Sequence, residues 1–236
     1  MSLTSGLNTA GGRAVLRQAR ANIDGWIALL RRFSRQRPGL KLWPWSGRVV
    51  VGATVTISVL IGVVMVLADA SAIAASRALP QGIRSVFDEI TDFGKSGWFL
   101  WPIGLFLAAL ALTATPSVGR IGAGVAASLA IRLTFVFAAI AVPGLLVAIV
   151  KRLIGRARPY VNGSADPYSY DPFAWKAAYA SLPSGHATTA FAAAVAIGAV
   201  WPQTRPYVWL YALLIGVSRV IVTAHHPSDV IAGAVV

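Results

Sequence analysis

Three separated segments carry residues whose types and spacing suit chemistry on a tetrahedral anion. Leu182-Pro183-Ser184-Gly185-His186 stands at the head of an apolar run. Pro183 and Gly185 interrupt regular structure and Ser184 is a favoured N-cap, so the spacing predicts a helix start whose free N–H groups can bind an anion. Lys151-Arg152-Leu153-Ile154-Gly155-Arg156-Ala157-Arg158-Pro159 follows a long apolar run and places fixed positive charge where such a run ends. Ser218-Arg219 through His225, His226 and Asp229 puts an arginine, histidines and an acid at a further boundary.

Displacing phosphate through a covalent enzyme needs cations on the nonbridging oxygens, a nucleophile on one side and a proton donor for the leaving oxygen on the other. Lys151, Arg158 and Arg219 can neutralise phosphoryl oxygens, and Ser184 with the amides of Gly185 and His186 can donate hydrogen bonds. Pro227 suits the first turn of a helix, which puts Asp229 in that turn and His225 just before it. A carboxylate so placed can hold one imidazole nitrogen and leave the other as a nucleophile, with His226 a neighbouring competitor. Taken singly, each residue also has a plain structural role: snorkelling cations, a simple cap at Ser184, and an Asp229 that complements a helix dipole.

The elements that must position these groups are membrane helices. The 236 residues are 56% hydrophobic and only 12% charged, and the mean hydropathy is +0.67, far from the balance of a soluble domain. The absence of cysteine excludes disulfides and thiolate metal sites. A net charge of +13 would suggest a nucleic-acid partner in a soluble protein, but here it reads as membrane orientation and no nucleic acid is expected. Residues 1–48 hold Arg13, Arg17, Arg20, Arg31, Arg32, Arg35, Arg37, Lys41 and Arg48 against the single acid Asp24. The positive-inside rule makes this a cytoplasmic tail, with no removable signal peptide. Val15, Ala19, Ile23, Trp26, Ile27, Leu30 and Phe33 recur at helical spacing within it, suiting either a helix lying on an anionic leaflet or, alternatively, a disordered tail.

Trp43 and Trp45 mark an interfacial belt, and residues 49–236 form the membrane domain. The first span runs from Val49 to about Leu67, closed by Asp69. Residues 70–97 carry apolar positions at helical spacing and predict an interfacial helix. Trp98 to Thr113 is a second span, with the return to the cytoplasm at Thr115-Pro116-Ser117 and Arg120. Residues 121–150 exceed the roughly 20 needed to cross, so this helix tilts or begins near Arg132, a residue best read as snorkelling. Residues 151–185 form an outer loop, Ala187 to Trp201 a fourth span and Tyr207 to Thr223 a fifth. A sixth apolar helix begins at residue 230 and is expected to be truncated by the chain's end. The expectation is therefore an all-α polytopic bundle of about six spans, and counting crossings puts all three segments on the face opposite the tail.

At those segments the chain resembles the type 2 phosphatidic acid phosphatase superfamily. That family's motifs are a lysine, six residues and Arg-Pro; Pro-Ser-Gly-His; and Ser-Arg, five residues, His, three residues and Asp. Here they read Lys151 to Arg158-Pro159, Pro183 to His186, and Ser218-Arg219 to His225 to Asp229, without departure at a motif position. The resemblance implies a metal-free and cofactor-free phosphohydrolase with His225 as nucleophile, selected over His226 by the motif register. It also implies that Asp229 orients His225 and that His186 protonates the leaving group, then activates water. Membrane members of the family act on lipid phosphates such as phosphatidic acid, phosphatidylglycerol phosphate, polyprenyl diphosphates and lipid A. The implied setting is a multi-pass bacterial-type inner-membrane protein with its active site periplasmic. A transport or binding protein that holds an anion without chemistry would not need both histidines and Asp229. A soluble vanadium-dependent haloperoxidase, from the same superfamily, would not carry the spans.

Overall fold

A computed structural model describes residues 10–36, 45–113 and 119–236. Trp43, Arg37, Lys41 and the turn expected at residues 115–117 lie outside the described residues, as do the side chains of Phe33 and Arg120. The described residues are mainly helical apart from the long loop 155–184, and their one β-type pairing is an isolated bridge between Arg156 and Tyr170. In chain order the α-helices are α1 (Ala10–Gln36), α2 (Gly47–Leu67), α3 (Asp69–Ala78), α4 (Gln81–Asp92), α5 (Gly97–Thr113), α6 (Gly119–Ile154), α7 (Gly185–Val200), α8 (Arg205–Ile221) and α9 (Pro227–Val235).

The chain divides into two compact units. One comprises residues 1–44 and 100–137. In it, Asn22 of α1 donates from Nδ2 to the carbonyl of Ala111 in α5 at 2.7 Å. Val15, Ile23, Ile27 and Leu30 remain exposed along α1. The other unit, residues 45–99 and 138–236, carries every candidate site residue.

Helix α2 is capped by Ser46, whose hydroxyl accepts from the amide of Val49, and none of its residues is buried. Twenty-one largely apolar residues, none of them buried and six of the valines exposed, suit a hydrocarbon surround, because in water such a surface would drive association. Length and apolarity sufficient to cross a bilayer are found at Gly47–Leu67, at Gln81–Thr113 and at Ile121–Ile154. Helices α7 and α8 are apolar but shorter, at 16 and 17 residues.

Two expectations are revised. The segment 70–97 is not one interfacial helix but α3 and α4, broken where Leu79 precedes Pro80; proline disfavours the α conformation in the residue before it and cannot continue the hydrogen-bond ladder. Nor does Asp69 simply close the first span, since it opens α3 and is completely buried. Helix α6 runs unbroken through Arg132, which is exposed, so the reading in which it begins near that residue is not adopted.

The core beneath the site is built of small residues. Ala190 and Ala194 of α7 meet Ala212 and Ile215 of α8, with Ile90, Phe191, Val208 and Tyr211 packed around them. Small side chains let the backbones approach closely, which is how apolar helices associate when no water is expelled from between them. Gly233 brings α9 against α7, for a Cβ there would collide with the carbonyl oxygen of Ser184 and stand 3.1 Å from the Thr188 hydroxyl.

Candidate active site

The end of α6, the starts of α7 and α9 and the end of α8 meet in the second unit. Lys151 lies in the last turn of α6, and its Nζ stands 3.9 Å from where a Cβ of Gly185 would be. The first and second motifs are thus adjacent in space. Ser184 occupies the N-cap position of α7, but its side chain makes no capping bond; it is fully buried and its Oγ has no protein partner. Its backbone amide instead donates to the carbonyl of Asp229 at 2.9 Å, tying the second motif to the third.

Arg219 is buried near the end of α8 and donates from Nη1 to the hydroxyl of Thr91 at 2.9 Å, while its Nε has no partner. Arg158 is half-buried with its Nε likewise unpartnered, and burial holds its guanidinium below the ordinary arginine value. Unpartnered N–H groups and a hydroxyl are costly to bury, so Arg158, Arg219 and Ser184 together suit an anion with several acceptor oxygens. His186, in the first turn of α7, packs against Gly94, where a Cβ would stand 2.9 Å from the imidazole Cδ2.

His225 precedes α9 as expected, and its backbone amide donates to the carbonyl of Arg219 at 3.2 Å. Burial pushes its imidazole down to about 4; Asp229 opposes that shift, and the charges of Arg219 and Arg158 add to it. The ring is therefore neutral at physiological pH with a lone pair to offer. His226 is the N-cap of α9 and is wholly buried, with neither ring nitrogen hydrogen-bonded.

Asp229 is completely buried and its two oxygens are differently engaged. Oδ1 accepts from Arg156 Nη1 at 2.6 Å. Oδ2 accepts from the Ser181 hydroxyl at 2.6 Å and from the amide of His226 at 2.9 Å, and it lies 3.8 Å from His225 Nδ1. Arg156 extends this network. Its Nη2 pairs with Asp69 at 2.8 Å, its Nη1 donates to the Ser228 hydroxyl at 2.7 Å and its Nε to the carbonyl of Pro167 at 3.0 Å. Asp69 also accepts from the amide of Ser228 at 2.9 Å and from its hydroxyl. Burial opposes the charge on Arg156, but Asp229 and Asp69 outweigh it and hold the guanidinium above its usual value. The loop that contains Arg156 is pinned by Ala157 N–H to Ser169 O at 2.9 Å and Asp171 N–H to Gly155 O at 2.7 Å. Gly155 has φ +65°, and any Cβ there would collide with the Asp171 carbonyl, so this turn requires glycine.

The structure brings the three motif segments into this one unit, with Lys151 beside Gly185, Ser184 bonded to Asp229 and His225 bonded to Arg219. Sequence reasoning missed Asp69, Arg156, Ser181, Ser228 and Thr91. An acid after an apolar run reads as a helix end, and single hydroxyls carry no local pattern; Arg156, inside the first motif segment, alone offered a signal. Among the described residues no group of three or more His, Asp or Glu is arranged to hold a metal ion.

Residues 132–236 match the sequence model of the PAP2 superfamily. A lipid A 1-phosphatase of Rhizobium johnstonii is 34% identical over 219 residues, covering 88% of this chain and 82% of the relative. A lipid A 1-phosphatase of Rhizobium etli is 35% identical over 180 residues, 72% of each chain. Among solved structures, a PAP2-type phosphatidylglycerolphosphate phosphatase from Bacillus subtilis superposes with a TM-score of 0.52 at 20% identity, over 78% of this chain and 88% of that one.

Proposed function

The chain belongs to the PAP2 superfamily, and from that premise we propose that it is an integral membrane phosphatase that removes phosphate from a lipid through a phosphohistidine. Lipid A carrying a 1-phosphate is the first substrate to test, because both relatives are lipid A 1-phosphatases. The observation that carries the reading is the set of buried, unpartnered donors on Ser184, Arg158 and Arg219, with the buried His225 bonded through its amide to Arg219.

In this reading Lys151, Arg158 and Arg219 hold the nonbridging oxygens, with Ser184 and the amides of Gly185 and His186 donating from the start of α7. A ring nitrogen of His225 attacks phosphorus while the bond from phosphorus to the lipid oxygen breaks. His186 gives its proton to that departing oxygen, so the lipid leaves as an alcohol. His186 then takes a proton from water, the resulting hydroxide attacks the phosphohistidine, the P–N bond breaks, and inorganic phosphate leaves with His225 restored. Asp229 stays ionised beside Arg156 and stabilises the charged imidazole of the intermediate. No metal or cofactor takes part in these steps.

Residues 1–48 are cytoplasmic and residues 49–236 form the catalytic membrane domain, with the loop 151–185 and the site on the periplasmic face of the inner membrane; the charge excess of the first 48 residues supports this orientation. Phosphate release from a panel of lipid A, phosphatidic acid, phosphatidylglycerol phosphate and a polyprenyl diphosphate by detergent-purified protein tests the proposal. Release from lipid A that disappears in His225→Ala is the expected result. Release from none of the panel would refute the assignment.

A further inference from the structure

Ser181 lies two residues before Pro183, outside every motif position, and is completely buried. Its Oγ is 2.6 Å from Asp229 Oδ2 and 3.4 Å from His225 Nδ1. Nδ1 itself is 3.8 Å from Asp229 Oδ2, beyond direct hydrogen-bond reach. The hydroxyl thus stands between the carboxylate and the imidazole.

Counting protons decides how this arrangement works. Asp229 is ionised beside Arg156 and can only accept, so the single proton of the Ser181 hydroxyl points to Oδ2. The lone pairs of Oγ are left for His225, and only an Nδ1–H can bond to them. That tautomer leaves Nε2 bare. Arg156 makes the division possible by occupying Oδ1, and it is itself fastened by Asp69. His226 Nδ1 stands 3.4 Å from the same Oδ2 but outside hydrogen-bond geometry, and neither of its ring nitrogens bonds to a hydroxyl.

We infer that Ser181 is a positioning residue that links Asp229 to His225, sets the Nδ1–H tautomer and thereby makes Nε2 the atom that is phosphorylated. This rests on the reading of His225 as the nucleophile. In this role Ser181 acts through the imidazole.

The test uses the full chain in detergent micelles with lipid A as the probe. Ser181→Ala removes one hydrogen bond to the reacting group, so kcat falls about 10- to 100-fold while KM stays within about twofold. Ser181→Thr, which keeps the hydroxyl, recovers most of kcat. In an Asp229→Asn background Ser181→Ala costs less than about twofold more, because the relay is already broken. A kcat for Ser181→Ala equal to that of the parent, an equal loss in Ser181→Thr, or a fully additive loss in the Asp229→Asn background would each overturn the inference. A second readout needs no change at position 181: 15N NMR of histidine-labelled protein near neutral pH, with the His225 signal identified by its loss in His225→Ala. An unprotonated Nε2 is expected, and an Nε2–H tautomer would refute the relay. The parent reading fails separately, if His225→Ala retains turnover in the same assay.

Discussion

Asp69 and Arg156, 87 residues apart, form an ion pair of 2.8 Å with both side chains fully buried. Removing Arg156 leaves the buried carboxylates of Asp69 and Asp229 without their cation, and removing Asp69 leaves Arg156 with Asp229 alone; breaking such a buried pair costs about 3–5 kcal/mol. Asp69→Ala should therefore lower the thermal unfolding midpoint markedly and reduce activity as Asp229 loses its fixed neighbour. Adding Arg156→Ala to it should cost much less than the sum of the two single changes. Full additivity, measured by unfolding in detergent, would show that the pair is not coupled.

His225 and His186 have different tasks in the proposed reaction and should separate by leaving group. On a lipid monophosphate both His225→Ala and His186→Ala should be severely impaired. An activated aryl phosphate expels a good anion and needs no proton, so His186→Ala should regain a burst of aryl alcohol there while His225→Ala regains none. Equal defects on both substrates, or phosphate trapped on His226, would reverse the assignment.

The pH profile follows from the depressed imidazole. Only the neutral form of His225 is a nucleophile, and burial lowers its proton affinity to about 4. The reactive fraction therefore stays high as pH falls below the ordinary histidine value of about 6.5 and is lost only toward 4. After correction for the substrate phosphate, whose second ionisation lies near about 6, kcat/KM should show no fall from pH 7 down to about 5. A corrected acid limb centred near 6.5 would contradict the burial argument.

Gly94 sets the space available to His186. A Cβ at position 94 would lie 2.9 Å from the imidazole Cδ2 and 2.7 Å from Ile215 Cγ2. Gly94→Ala should displace the ring and lower kcat by about 10-fold or more, as small misplacements of a reacting group do. Gly82→Ala, in the preceding helix with nothing within 4 Å, is the control and should leave kcat unchanged.

Orientation can be read because the chain has no native cysteine. Ala14→Cys should react with a membrane-impermeant maleimide only after the inner membrane is opened, whereas Ser164→Cys should react in intact spheroplasts. The reverse pattern would invert the assigned topology. In the same preparations, turnover should survive EDTA and be inhibited by vanadate; loss with EDTA and recovery with magnesium or zinc would exclude the proposed chemistry.

Much of this architecture is dictated locally. An apolar run of the length of Gly47–Leu67 has few places to go but hydrocarbon, and a cation such as Lys151 or Arg158 cannot follow it there, so such charges collect where helices end. Pro183, Ser184 and Pro227 announce helix starts in the same way, and α7 and α9 begin at Gly185 and Pro227. What tertiary structure alone decided is how these ends lock together. Asp69 after an apolar run looks identical whether it faces water or pairs with Arg156, because nothing local encodes a partner 87 residues away. Thr91 meets Arg219 only because α4 packs on α8, and Ser181 stands between His225 and Asp229 only because the loop before α7 closes over the start of α9. Such contacts depend on helix rotation and spacing to within about an ångström, and a hydroxyl whose proton has a single productive direction leaves no periodic trace in the order of residues.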